Sequence, residues 1–100
     1  MSIVTFLEFQ LNLNTYQLSK GNTLLTIGSR PLDLLIFLIR NRHKVVDRET
    51  LRREVWGGSS LSPAAIPTCI SDLRKLLNDS PNSPRIISSV RNRGYRFIAE

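Results

Sequence analysis

Pro63-Ala64-Ala65-Ile66-Pro67-Thr68-Cys69-Ile70-Ser71-Asp72-Leu73-Arg74-Lys75-Leu76-Leu77 is the stretch on which the fold turns. At roughly 100° per residue, Ile66, Cys69, Ile70, Leu73, Leu76 and Leu77 cluster within about 60° of one direction, while Ala64, Thr68, Ser71, Lys75 and Asn78 point the opposite way. The spacing predicts an amphipathic helix over 63–77, with one face in a core and a small, polar face left open. Pro67 conflicts with a regular helix beginning at Pro63, because an interior proline deletes a backbone hydrogen bond and costs about 3 kcal/mol. An irregular first turn is the expected compromise. Asn78-Asp79-Ser80-Pro81-Asn82-Ser83-Pro84 then stops the helix in a loop.

On the carboxy-terminal side, 85–90 and 94–98 have strand composition and are joined by Arg91-Asn92-Arg93-Gly94. The expectation is a hairpin with a basic tip. On the amino-terminal side, Asp47 is a good N-cap for a short helix over 48–56, with Leu51 and Val55 inward. Gly57-Gly58-Ser59-Ser60 ends it in a flexible loop. A further helix opens at Gly28-Ser29-Arg30-Pro31 and ends near Asn41. Its Leu32, Leu35, Ile36 and Ile39 recur at helical spacing, and Leu34, Phe37 and Leu38 widen the stripe enough to demand burial. Residues 3–27 alternate in the manner of strands, most visibly Phe9, Leu11 and Leu13. Turn signals at Asn14-Thr15 and Lys20-Gly21-Asn22 divide them, and 23–27 is the last strand. The predicted order is an antiparallel sheet of three or four strands over 1–27, three helices over 29–78 and a hairpin over 85–98, in one α+β domain spanning 1–100.

Composition narrows the function. One Cys and one His exclude an intrachain disulfide and a zinc finger, which needs about four such ligands. No Gly-rich phosphate loop, metal-ligand spacing or nucleophile pattern is present, so neither an enzyme nor a cofactor is expected. The formal net charge is +6, and residues 1–29 contribute only Glu8 and Lys20, so the basic excess lies in 30–100. Such a field favours polyanions, whose condensed counterions are released on binding. The start lacks a signal peptide, and the longest apolar run, 34–39, is far short of the roughly 20 residues of a membrane span, so a soluble, cytoplasmic chain is expected.

Val45-Val46-Asp47-Arg48-Glu49-Thr50-Leu51, Val55-Trp56-Gly57, Cys69-Ile70-Ser71-Asp72-Leu73-Arg74-Lys75-Leu76-Leu77 and Val90-Arg91-Asn92-Arg93-Gly94-Tyr95-Arg96-Phe97, in this order and spacing, resemble the OmpR/PhoB-type winged-helix family, and most of all its CadC/ToxR-like branch. The resemblance covers the whole chain. It implies sequence-specific binding of double-stranded DNA for transcription regulation, with the third helix in the major groove and the hairpin, or wing, against the minor groove. By position it implies that Thr68, Ser71, Asp72 and Lys75 face bases or phosphates. Trp56, Arg74, Ser89 and Tyr95 would contact the DNA backbone, and Arg91 would enter the minor groove, with Asn92 and Arg93 beside it at the tip. Further phosphate contacts are expected from Arg40, Arg52 and Arg53.

The resemblance also implies that the 57–61 loop, Gly57 to Leu61, contacts RNA polymerase. A homodimer on DNA is expected because one module alone covers a short site. With Met1 as a native start, a sensor or membrane-anchoring segment is expected after Glu100, as in the CadC/ToxR-like regulators. The sequence departs from the response-regulator pattern at Ser71 and Asp72, where arginines are common, and at Ala64 and Ala65, which replace polar residues. Blander roles compete: Cys69 as a small buried hydrophobe, His43 as a solvated loop residue, Trp56 as packing, and Asp72 as the ion-pair partner of a nearby arginine. The rival from another class is a winged-helix module that docks a protein and reads no DNA.

Overall fold

The computed structural model describes residues 2–100; the expectation resting on Met1 as the native start lies outside them. Four short strands, β1 (Ile3–Phe6), β2 (Phe9–Asn12), β3 (Gln17–Lys20) and β4 (Thr23–Leu25), form an antiparallel sheet in chain order. Side chains alternate across a strand, and the register aligns Val4, Leu11, Leu18 and Leu25 in one row. Leu11 and Leu18 are fully buried. The Asn12 carboxamide accepts hydrogen bonds from the Asn14 and Thr15 amides, at 2.9 and 3.1 Å, which fixes the β2–β3 turn that its sequence signalled. The β1–β2 turn carries no such signal: it is Leu7-Glu8, with Leu7 at φ 51°. Strand β4 is shorter than expected: its ladder with β3 ends at Leu25 opposite Leu18, and Thr26 and Ile27 lie outside it.

Helix α1 (Ser29–Arg40) buries Leu32, Leu34, Leu35, Ile36, Leu38 and Ile39, as its apolar density requires. Its Pro31 lies in the first turn, where no backbone donor is needed. Helix α2 (Arg48–Glu54) is capped by Asp47, whose carboxylate accepts the Thr50 amide at 2.8 Å. It ends two residues before Trp56, with Val55 as its C-cap. Helix α3 (Ala65–Leu77) resolves the proline conflict. The Ala65 amide bonds the Ser62 carbonyl at 3.2 Å, a tight i−3 turn, and the Thr68 amide bonds Ala64 at 2.9 Å. Pro67 is thus the third helical residue, where the missing N–H has no intrahelical partner to lose. Asn78, at φ 56°, closes the helix in the left-handed conformation, and the Asp79 amide bonds the Arg74 carbonyl at 2.8 Å.

The terminal hairpin pairs β5 (Ile87–Val90) with β6 (Gly94–Phe97). Leu73 and Leu77 of α3, Leu35 and Leu38 of α1, Ile87 of β5 and Phe97 of β6 are all fully buried in one cluster. Each such side chain contributes about 1.5–3 kcal/mol. Phe6 stacks on Phe9, with ring centroids 5.4 Å apart, and meets Phe97 edge-on at 5.2 Å, so aromatic contact joins the first sheet to the hairpin. No helix among the described residues is long and apolar enough to cross a membrane.

Candidate nucleic-acid interface

The buried stripe of α3 fixes which of its faces is open. Ile66, Cys69, Ile70, Leu73 and Leu77 are buried, so the residues about half a turn away must face outward. Pro67, Thr68, Ser71, Asp72, Lys75 and Asn78 are exposed accordingly. Hydroxyls, a carboxylate and one ammonium group make a low-relief polar surface, which permits close approach by a groove edge. Asp72 makes no ion pair among the described residues, so the role of arginine partner is not realised.

The hairpin tip lies two residues beyond Ser89, which Arg74 of this helix holds. Arg91, Asn92 and Arg93 are exposed, and the Arg93 amide closes the turn on the Val90 carbonyl at 2.9 Å. Asn92 supplies the positive φ of 62° that the turn needs, a conformation asparagine tolerates better than most residues. Neither arginine is ion-paired within the described residues, so two like charges share one tight turn. An open groove of about 490 Å³ separates the tip from the start of α2, lined by Asp47, Arg48 and Glu49 opposite the 89–95 segment.

Two joints fix the hairpin's orientation. On one flank, Tyr95 and Val46 exchange backbone hydrogen bonds of 3.0 and 2.8 Å, which ties β6 to the α1–α2 linker. Gly94 sits so close to this linker that a Cβ there would lie 2.1 Å from the Val46 carbonyl oxygen. On the other flank, Arg74 of α3 donates from one terminal nitrogen to the Ile87 carbonyl at 2.9 Å and to the Ser89 hydroxyl at 3.0 Å. The Asp79 carboxylate accepts the amides of Arg85, Ile86 and Ile87 at 2.7, 3.3 and 2.9 Å. Arg85 is thereby drawn out of the expected strand, and β5 begins at Ile87.

Arginine use separates the expected phosphate contacts. Arg52 chelates Glu49 at 2.7 and 2.9 Å and donates to the Gly58 and Ser59 carbonyls, so it pins the α2–α3 loop from within. Arg48 adds a bond to the Ser62 carbonyl at 3.2 Å, and the loop is tied at both ends. Arg40 is exposed, and exposed Arg53 pairs with its neighbour Glu54 at 3.3 Å. Half-buried Trp56 lies under the Arg30 guanidinium, 5.6 Å from the ring centroid, while Arg30 also donates to the Val55 carbonyl at the end of α2. Trp56 thus packs against the core, while its indole N–H donates to no acceptor among the described residues. Ser89 is exposed and Tyr95 half-buried beside the tip. Asp79, Gly94 and Arg30 carry no distinguishing pattern in the sequence, since their partners lie on other elements, 6 to 48 positions away.

Titration follows the same geometry. Hydrogen bonds from the Thr50 side chain and amide hold the Asp47 carboxyl below its ordinary value, and the bond from Arg52 does the same for Glu49. Burial, with a smaller push from the Asp72 carboxylate, moves the Cys69 thiol up to about 11 against a weaker pull from Arg30. Thiolate is the reactive form, so folded protein at pH 8 should alkylate at Cys69 about a hundredfold more slowly than a denatured control. Equal rates in a mass-spectrometric time course would show that Cys69 is reached without unfolding.

A three-helix core with an open third helix, flanked by an arginine-tipped β-ribbon, defines a winged helix-turn-helix. The chain belongs to the family described as "Transcriptional regulatory protein, C terminal", whose model matches residues 21–97. It is 33% identical over 92 residues to the transcriptional activator CadC of Escherichia coli, an alignment covering 91% of this chain and 18% of CadC. It is 34% identical over 80 residues to the cholera toxin homolog transcriptional activator of Vibrio parahaemolyticus, covering 78% and 27% of the two chains. The chain thus spans about a fifth to a quarter of the length of these relatives.

Solved structures agree. The DNA-binding domain of E. coli CadC superposes with a TM-score of 0.85 at 30% identity, covering 100% of this chain and 94% of that one. The Klebsiella pneumoniae RstA DNA-binding domain, in complex with the RstA box, superposes at 0.89 with 25% identity and covers 98% of each.

Proposed function

We propose that this domain binds duplex DNA sequence-specifically as the reading head of a transcription regulator. Its α3 enters the major groove, and Arg91 at the wing tip enters the adjacent minor groove. One observation carries the proposal: α3 keeps an open polar face, and through Arg74 and Ser89 it is bonded to the strand that leads into an unpaired pair of arginines. Thr68, Ser71 and Asp72 are placed to meet base edges, and Lys75 to meet a phosphate. Trp56, Ser89, Asn92, Arg93 and Tyr95 flank these on the backbone side. The RstA domain was solved on its own DNA box, and the match to that domain over nearly its full length supports the same docking.

Salt dependence is the direct test. Affinity for duplex DNA should fall linearly on a log–log plot against salt, at about 0.9 per phosphate neutralised. In Lys75→Ala, fluorescence anisotropy should record a similar loss on every duplex and a salt slope smaller by about one. A loss confined to one base pair would instead make Lys75 a reader of sequence. A domain that docks a protein and leaves duplex DNA alone would give no such slope.

The pinned 57–61 loop presents Ser59, Ser60 and the two glycines at the surface, a rigid shape suited to the polymerase contact that the family resemblance implies. Pairing of two copies on one DNA site follows from the short reach of a single α3 and is read by the stoichiometry of the complex.

A further inference from the structure

We infer that Arg74 is a positioning residue, an internal brace that holds the wing at a fixed offset from α3, rather than a contact to DNA phosphate. This rests on the DNA-binding reading above and assigns one of its residues a different task. Arginine grips a phosphate or carboxylate through two nitrogens presented side by side. In Arg74 the terminal nitrogen common to both such pairs is spent inside the protein, and the other terminal nitrogen makes no hydrogen bond among the described residues. One terminal nitrogen bonds both the Ile87 carbonyl and the Ser89 hydroxyl, and Nε is shut off from solvent with no partner of its own. Among the described residues, Nε is the sole buried side-chain polar atom left unbonded. A surface contact to DNA gains nothing from such enclosure, whereas a brace gains rigidity.

The partners explain why a brace is needed. Strand β5 pairs with β6 on one side only, and its other edge would otherwise expose main-chain groups. At Ile87 both of these are capped from the end of α3: the N–H by Asp79 and the C=O by Arg74. The wing therefore has no independent hinge at its root relative to α3, and the spacing from Lys75, next along the helix, to Arg91 is set by bonds and not by chance. Matching that spacing to the distance between adjacent grooves is pre-organisation, which raises affinity by removing an ordering cost.

The test has a DNA-free arm and a DNA arm. In Arg74→Met, amide order parameters at 91–93 should fall while the melting transition persists, and Arg74→Lys, whose single nitrogen can still span both acceptors, should restore them. On a duplex selected from a random pool by the wild-type protein, Arg74→Met should weaken binding by about tenfold. Arg91→Ala should then cost less than about twofold in that background, while Lys75→Ala costs the same factor in both. Losses from Arg74 and Arg91 that multiply independently, or unchanged wing amides, would overturn the brace. If Arg74→Met does not fold, Ser89→Ala removes one acceptor without touching charge and should loosen the same amides. Failure of the wild-type protein to select any duplex from the pool would overturn the DNA reading instead, with the amide arm still deciding the brace.

Discussion

Gly94→Ala should destabilise the domain by about 2–6 kcal/mol, the sum of roughly 1–3 for a strained backbone and 1–3 for overpacking. Gly94 has φ 146°, a conformation that side-chain-bearing residues rarely adopt. Space is the harsher constraint. A Cβ would stand 2.1 Å from the Val46 oxygen, 2.7 Å from its carbonyl carbon and 2.9 Å from the Asp47 Cα. All three are backbone atoms, so no rotamer change can relieve the clash. The paired Val46–Tyr95 hydrogen bonds would have to open, and the wing would tilt away from the start of α2. A domain of this size is stable by only about 5–15 kcal/mol, so the loss should be plain in urea denaturation. Gly21→Ala is the matched control, because φ is +60° there but nothing lies within 4 Å. It should cost no more than about 1–3 kcal/mol, and equal losses at the two sites would mean the linker yields freely.

Arg91→Ala should leave stability unchanged within about 0.5 kcal/mol and cut affinity for a selected duplex by about 1–3 kcal/mol, five- to 150-fold. The side chain is exposed and makes no ion pair among the described residues, so folding loses nothing when it goes. Its effect on DNA comes from position. The positive φ of Asn92 and the Arg93–Val90 bond make a rigid turn, which delivers the guanidinium without a large ordering cost. A narrow, A·T-rich minor groove concentrates negative potential, so the loss should be largest on duplexes with such a flank. Unchanged affinity with an intact melting transition would take the wing out of the mechanism.

Much of the fold is legible because its signals are local. The stripes of α1 and α3, the Asp47 cap and the Asn12 turn each follow from residues within a few positions of one another. The Leu7-Glu8 turn escapes such reading because neither residue favours a turn, and the Phe6–Phe9 stack on either side stabilises it. The candidate interface divides the same way. The exposed face of α3 and the basic tip follow from period and charge. The division of labour among arginines does not: Arg52 and Arg74 look as available as Arg40 and Lys75 until their partners are known.

By itself the amino-acid order determined which segments are helices and strands, which side of α3 is greasy, and where the positive charge collects. Periodicity and capping act over one or two turns, and that range lies within a single segment. Only the folded arrangement decided that Gly94 abuts Val46, that Asp79 gathers the amides leading into β5, and that Arg74 is consumed by the ribbon it supports. These are contacts between residues 6 to 48 positions apart, made when burial of a shared core brings distant backbone groups together and each must find a partner.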